Sequence, residues 1–237
     1  MRFALLSLCL ASSVLAQAPA EPTLSLADLE KGCRQGDTTA CVDLGFNLEA
    51  KEPEKAVAVY RDACKKNVLA ACSNLSLMLR DARGAPKNLA EAATLAKKAC
   101  DGKNAPGCFH LGLVKDAAND FAGATKAYEA SCRLQVFQGC TNFAINLIKG
   151  VGVAADPQRG LELLETACAE SVKKGAQYPS LRSCLVLGQL YEQGTKGVVA
   201  NLDAAKRLYK VACYGGLDEA CKRLGAGGHQ DGDGHGH

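Results

Sequence analysis

The residues with the clearest capacity for chemistry are the cysteines, which recur in pairs at a fixed spacing. Five pairs follow the pattern C-x7-C, and in one further pair the separation is doubled. Even numbers of regularly spaced cysteines are typical of disulfides in exported proteins, whereas zinc ligands within one local site are separated by two to four residues. We therefore expect six disulfides: Cys33–Cys41, Cys64–Cys72, Cys100–Cys108, Cys132–Cys140, Cys168–Cys184 and Cys213–Cys221.

The first sixteen residues have the order of a secretory signal peptide. Arg2 precedes an apolar stretch that is too short to cross a membrane, and small residues lead to a cleavage site after Ala16. Cleavage removes Cys9, the one cysteine outside the six pairs. The sequence thus predicts a periplasmic or secreted protein without membrane insertion, and with no thiol left for catalysis.

Other candidates for catalysis lack partners. Ser171 and Lys174 match the Ser-x-x-Lys motif of class A β-lactamases, but the sequence contains neither Ser-Asp-Asn nor Lys-Thr-Gly, which that site also needs. His110 is the only histidine within the repeated region, so no Ser/His/Asp or Cys/His arrangement is credible. We expect no catalytic residues.

The end of the chain is rich in glycine, histidine and aspartate. His229, His235 and His237 are weak candidates for holding a borderline metal such as zinc, nickel or copper. A segment of this composition cannot form a core, and the simpler interpretation is a disordered, solubilising tail over residues 225–237. We expect no cofactor.

The elements that carry the cysteine pairs are predicted to be helices. Counted from the second cysteine of a pair, position +3 is always large and apolar and position +4 is small, although Ser76 and Ala144 replace the usual glycine at +4. Counted from the first cysteine, positions −8, −4 and −1 form a second apolar stripe with helical spacing. Each repeat is therefore two helices.

Residues typical of helix N-termini lie where the helix-pair pattern requires them. Asn88, Asp156 and Asn201 are predicted N-caps, and Pro53 and Pro157 suit the first turn of a helix. The sequence predicts an all-α solenoid of helix pairs, stapled by disulfides. The expected organisation is a signal peptide (1–16), a linker (17–23), the solenoid (24–224) and the tail (225–237). The extra residues before Cys184 are expected to lengthen one loop without disturbing the helices.

Composition excludes some classes of function. After loss of Arg2 the chain carries 27 basic and 25 acidic residues, so its surface is nearly neutral. Nucleic-acid binders carry a concentrated basic footprint, which this chain lacks. We expect no nucleic-acid partner, and we expect a monomer.

Several segments resemble the Sel1-like repeat, among them Ala-Cys-Val-Asp-Leu-Gly (40–45), Gly-Cys-Phe-His-Leu-Gly (107–112) and Lys-Gly-Val-Gly-Val (149–153). The C-x7-C pairs resemble the Hcp-type cysteine-rich branch of that family. The resemblance implies a right-handed superhelix of TPR-like, antiparallel helix pairs. It also implies export and adaptor-like protein binding. It further implies one alternative, β-lactam binding or weak β-lactamase activity as described for Hcp-type relatives. A second alternative is a metal or haem carrier or assembly factor.

A protein or extended peptide is the expected partner, bound in a concave groove lined by the first helix of each pair. Short polar side chains at positions +2 and +6 can hydrogen-bond the backbone of an extended peptide. The candidate residues are Asp43, Asn47, Asn74, His110, Asn142 and Asn146. Changing Asn74 and Asn142 to alanine is predicted to weaken binding without lowering thermal stability.

Overall fold

The computed structural model describes residues 24–175, 181–195 and 197–225. These residues form α-helices and no strand, with a single β-bridge between Thr195 and Val198. The predicted signal peptide (1–16), the linker (17–23) and all but the first residue of the predicted tail lie outside the described residues. The helices are α1 (Leu26–Arg34), α2 (Thr38–Leu48), α3 (Pro53–Lys65), α4 (Leu69–Arg80), α5 (Leu89–Asp101), α6 (Ala105–Ala117), α7 (Phe121–Arg133), α8 (Phe137–Lys149), α9 (Pro157–Lys173), α10 (Arg182–Gln193), α11 (Leu202–Tyr214) and α12 (Asp218–Arg223).

The helices are stacked in pairs along the chain. Five complete pairs, from α2/α3 to α10/α11, are flanked by α1, which corresponds to a second helix, and by α12, which corresponds to a first helix. We number these pairs repeats 1 to 5. Each helix packs against its neighbours in sequence, so contacts are almost entirely local. The predicted all-α helix-pair solenoid is confirmed.

Two layers can be distinguished by their packing. The even-numbered helices, here called the inner helices, pack on one another: α2 on α4, α4 on α6, α6 on α8 and α8 on α10. No comparable packing joins successive odd-numbered helices, here called the outer helices, among the described residues. A curved stack brings its elements closest together along the shorter arc. The inner helices therefore line the concave face.

A disulfide joins each outer helix to the next inner helix. All six pairs of cysteines are bonded, with Cα atoms 4.4–4.8 Å apart. In the five C-x7-C pairs the residue three after the first cysteine has positive φ, and the next amide donates to the carbonyl just before that cysteine, which ends the outer helix. The residues with positive φ are Gly36, Asn67, Lys103, Gln135 and Gly216.

The longer Cys168–Cys184 pair departs from this rule. Ser171 takes the corresponding position but stays helical, and its buried hydroxyl donates to the carbonyl oxygens of Ala167 and Cys168. Without the left-handed turn at this position, α9 continues to Lys173, and positive φ appears only at Gly175, where φ is 64°. The expectation that the extra residues lengthen only a loop is wrong, because part of them extends α9.

Small residues allow the two layers to approach closely. At position −8 of the outer helices Ala56, Ala92, Ala124 and Ala205 are at most 1% exposed. The predicted N-caps are confirmed: the side chains of Asn88, Asp156 and Asn201 each accept a hydrogen bond from a backbone amide of the first turn. Within the described part of the chain, no helix has both the length and the apolar character that a membrane span requires.

Candidate protein-binding groove

The six predicted groove residues all lie on inner helices. Asp43 and Asn47 are exposed on α2, whereas the other four are partly buried: Asn74 on α4, His110 on α6, and Asn142 and Asn146 on α8. They are spread over four neighbouring helices and so do not converge on one point. The arrangement is a row along the face, as a groove for an extended partner requires.

The amide groups of this row already have partners within the chain. Asn74 Nδ2 donates to the Tyr60 hydroxyl at 3.3 Å, and Asn146 Nδ2 donates to Thr125 Oγ1 at 2.8 Å. Each of these bonds links an inner helix to the outer helix of the preceding repeat. Asn47 Nδ2 donates within α2, to the Asp43 carbonyl oxygen at 2.8 Å. The row therefore holds repeats together, which the sequence reasoning did not anticipate.

His110 makes a similar contact between neighbouring inner helices. Its Nδ1 atom lies 2.7 Å from Ser73 Oγ and 3.2 Å from the Ser73 carbonyl oxygen on α4. Burial is the main cause that lowers the pKa of His110 to about 4, and the hydrogen bond to Ser73 opposes this only in part. The imidazole is therefore neutral at physiological pH and serves as a joint between α4 and α6.

Three buried tyrosines of the outer helices pack against the inner helices. Tyr60, Tyr128 and Tyr209 occupy position −4 of outer helices, and each ring fills the space beside a glycine at position +4 of the paired inner helix. Their hydroxyls donate to carboxylates one turn further along the inner helices. The bonds are Tyr60 to Glu49 at 2.9 Å, Tyr128 to Asp116 at 2.6 Å and Tyr209 to Glu192 at 2.7 Å.

Repeats 2 and 4 lack the tyrosine, which explains why their inner helices have no glycine at position +4. Ala96 and Leu164 replace tyrosine at position −4, and Ser76 and Ala144 replace glycine at +4. Leu164 and Ala144 are packed in one buried cluster. Without a ring to accommodate, the inner helix needs no glycine. The residue types at positions −4, +4 and +8 change together from repeat to repeat. This relationship was present in the sequence, but the prediction did not use it.

Two of the three carboxylates bonded to tyrosines are also paired with an arginine. Glu49 also accepts from Arg83 Nη1 at 2.7 Å, and Glu192 accepts from Arg223 Nη1 at 2.7 Å. These partners neutralise the negative charge that the tyrosine repeats bring to the concave side. Arg80 at position +8 of α4 contacts Asp81 through two hydrogen bonds of 2.6 and 2.7 Å.

A cleft opens between α8 and α10, beside repeat 4, which lacks the tyrosine arrangement. Its volume is about 430 Å³. Ile148 stands at position +8, where Glu49, Asp116 and Glu192 lie in the tyrosine repeats. Val186 and Leu190 take the positions that asparagines occupy on α8. The lining residues are Ile145, Ile148, Lys149, Arg182, Val186, Gln189, Leu190, Gln193 and Thr195.

The Ser-x-x-Lys match does not form a catalytic pair. The Ser171 hydroxyl is buried and bonded to backbone carbonyl oxygens, and the Lys174 ammonium lies 5.2 Å from the centre of the Phe137 ring. No group of three or more His, Cys, Asp or Glu side chains suited to a metal ion occurs among the described residues. The weak metal candidates His229, His235 and His237 lie outside those residues.

Comparison with known proteins supports the repeat architecture. The family model of the Sel1 repeat matches residues 69–104, 144–172 and 181–217. These stretches comprise α4/α5, much of α8/α9 and α10/α11, while the structure shows equivalent helix pairs in the unmatched repeats 1 and 3. A search of curated proteins returns no significant match.

Two solved structures show the same fold, and a third protein is similar in sequence over part of the chain. A Sel1 repeat protein from Oxalobacter formigenes is 19% identical, with 85% of this chain and 89% of that chain covered and a TM-score of 0.63. One from Klebsiella pneumoniae is 20% identical, with 84% and 97% covered and a TM-score of 0.55. Cysteine rich protein B of Helicobacter pylori is 26% identical, with 58% and 96% covered and a TM-score of 0.45.

Proposed function

Because this chain is a Sel1 repeat protein, we propose that it is an exported scaffold that binds a protein or extended peptide partner on its concave face. The observation that carries the proposal is the continuous surface formed by the inner helices, which pack side by side from α2 to α10. Polar side chains of α2, α4, α6 and α8 lie along it. Helix-pair repeats use such extended concave surfaces for binding.

The disulfides support export. Six bonds within the described residues are typical of an oxidising compartment outside the cytoplasm. We propose that residues 1–16 are the export signal and that the mature protein acts as a monomer in the periplasm or beyond the cell. Cell fractionation, N-terminal sequencing of the mature chain and light scattering test these three points separately.

Partner binding can be tested with a photo-crosslinking amino acid placed on the groove. Asn47 is suitable because its side chain is exposed on α2 and, among the described residues, bonds only within that helix. Lys206 on outer helix α11 is the matched control, since it is exposed on the other layer. The proposal expects a discrete adduct from position 47 in the native envelope and none from position 206. Equal labelling from both positions would contradict it.

The two alternatives are tested on the same oxidised protein. Turnover of the chromogenic β-lactam nitrocefin, if it persists through repurification, would establish an enzyme instead of a scaffold. The burial of the Ser171 hydroxyl argues against a serine mechanism at that position. Metal analysis with and without residues 225–237 tests a carrier role for the histidine-rich tail.

A further inference from the structure

The cleft between α8 and α10 follows from the composition of repeat 4. In a tyrosine repeat the +8 side chain is a carboxylate bonded to the tyrosine hydroxyl, as Asp116 is to Tyr128. Repeat 4 has Leu164 in place of that tyrosine, so Ile148 at +8 has no hydroxyl to satisfy. An aliphatic side chain is therefore free to line the groove, and the floor of the cleft is apolar.

The charges around the cleft have one sign. Of the described residues that line it, Lys149 and Arg182 are cationic and none is acidic. Both cations are exposed, and neither has a carboxylate oxygen within 4.0 Å among the described residues. Most groove charges elsewhere are paired, as Glu49 is with Arg83. The cleft thus combines an apolar floor with two available positive charges.

The two cations lie at opposite ends of the cleft. Arg182 is the first residue of α10 and Lys149 is the last residue of α8. Because α8 and α10 are equivalent helices of adjacent repeats, they run in the same direction. Eleven helical positions separate the two in the repeat alignment, which is about 16 Å along the helix axis. An extended chain covers that distance in about five residues.

We propose that this cleft binds an internal peptide segment in which an aliphatic side chain is flanked on both sides by acidic side chains. The aliphatic side chain fills the space between Ile148, Val186 and Leu190, and the two carboxylates pair with Arg182 and Lys149. A free chain terminus fits less well because it supplies one carboxylate at one end only. This inference rests on the proposed function and specifies the partner chemistry of part of the same face.

The probe is an acetylated and amidated heptapeptide, Gly-Glu-Ala-Leu-Ala-Glu-Gly, titrated into the oxidised full chain and followed by NMR. Binding should shift amide signals of α8 and α10. Matched peptides with serine in place of leucine, or with glutamine in place of both glutamates, should bind at least several-fold more weakly. A tripeptide Gly-Ala-Leu with a free carboxylate tests the chain terminus, and tighter binding by that peptide would overturn the proposal.

Variants of the protein provide the second test of the proposed cleft. Lys149→Gln with Arg182→Gln should weaken binding of the heptapeptide roughly five- to tenfold, which corresponds to two exposed ion pairs. Both side chains are exposed, so folding should not change. Lys206→Gln with Lys210→Gln removes two exposed charges from outer helix α11 and should leave the affinity unaltered. Equal affinities for the two double variants would refute the proposed pairing.

Failure of this inference can be told apart from failure of the proposed function. If crosslinking from Asn47 captures a partner but the heptapeptide does not bind, the scaffold function stands and the assignment of the cleft is wrong. If neither experiment detects binding on the inner helices, the scaffold function itself is contradicted.

Discussion

The ring of Tyr128 occupies the space that a Cβ atom would need at Gly112. Both residues lie in repeat 3, Tyr128 on the outer helix and Gly112 on the inner helix, and the Tyr128 hydroxyl then reaches Asp116 one turn beyond the glycine. The same relationship holds for Tyr60 with Gly45 and for Tyr209 with Gly188. In these repeats, the close approach of the tyrosine ring to the glycine thus accompanies the hydrogen bond from its hydroxyl to the carboxylate.

Gly112→Ala should destabilise the protein by about 1–3 kcal/mol, because the added methyl group overpacks a closed contact with a ring. Adding Tyr128→Leu should recover part of the loss, since it recreates the alanine and leucine combination of repeat 4. Urea unfolding of the two single variants and the double variant measures the coupling. Strictly additive losses would show that the contact is not responsible.

Alkaline pH should weaken the fold through the tyrosines. Burial, followed by the hydrogen bond to Glu192, raises the pKa of Tyr209 to about 12. Because the folded pKa exceeds the unfolded value near 10, the stabilisation is complete below pH 10 and is lost as pH rises through 12. Rapid urea unfolding from pH 9 to 12 should show a smaller decline for Tyr209→Phe than for the wild type. Parallel declines would contradict the assignment.

Acid should weaken the fold through His110. Burial lowers its pKa to about 4, below the unfolded value of 6.5. The stabilisation is therefore complete above pH 6.5 and is lost as pH falls towards 4, by at most about 3 kcal/mol. Unfolding midpoints from pH 7 to 4 should fall less for His110→Gln, after comparison with that variant's own value at pH 7. Histidine ring signals in NMR give an independent value for this pKa.

The double variant Asn74→Ala with Asn142→Ala should lose stability, contrary to the prediction from sequence. Asn74 donates to the Tyr60 hydroxyl, and Asn142 makes a corresponding side-chain contact with Tyr128. Removing a partly buried hydrogen bond costs about 1 kcal/mol. Thermal unfolding should detect the combined effect. A binding defect in this variant must therefore be compared with a destabilised control that keeps both asparagines, for which Tyr209→Phe is suitable.

Removing the Cys213–Cys221 disulfide should have a local effect. Helix α12 has six residues, and of the described helices it packs on α11. Replacing both cysteines with alanine should release the amides of α12 to rapid hydrogen exchange while α2 to α10 keep their protection. The same change at Cys64 and Cys72, which are 4% and 0% exposed, should lower the stability of the whole stack. Equal losses at both sites would contradict this distinction.

The regular spacing of the cysteines was sufficient to predict the helix phases, the disulfides and the helix-pair architecture. Disulfide-linked repeats with one apolar stripe per helix have few alternative ways to bury their surface. The N-caps at Asn88, Asp156 and Asn201 could be predicted as well, since a cap depends on adjacent residues only.

Contacts between repeats were not predictable in this way. The sequence alone determined which residues line the inner helices, but it did not show that Asn74 and Asn146 bond to the preceding repeat, nor that α9 continues past Cys168. Only the tertiary structure decided these points, because the asparagine bonds depend on how neighbouring helices pack and the end of α9 depends on the backbone conformation at Ser171. The apolar cleft beside Ile148 also depends on packing, because Leu164, Val186 and Leu190 come from helices that meet only in the folded protein.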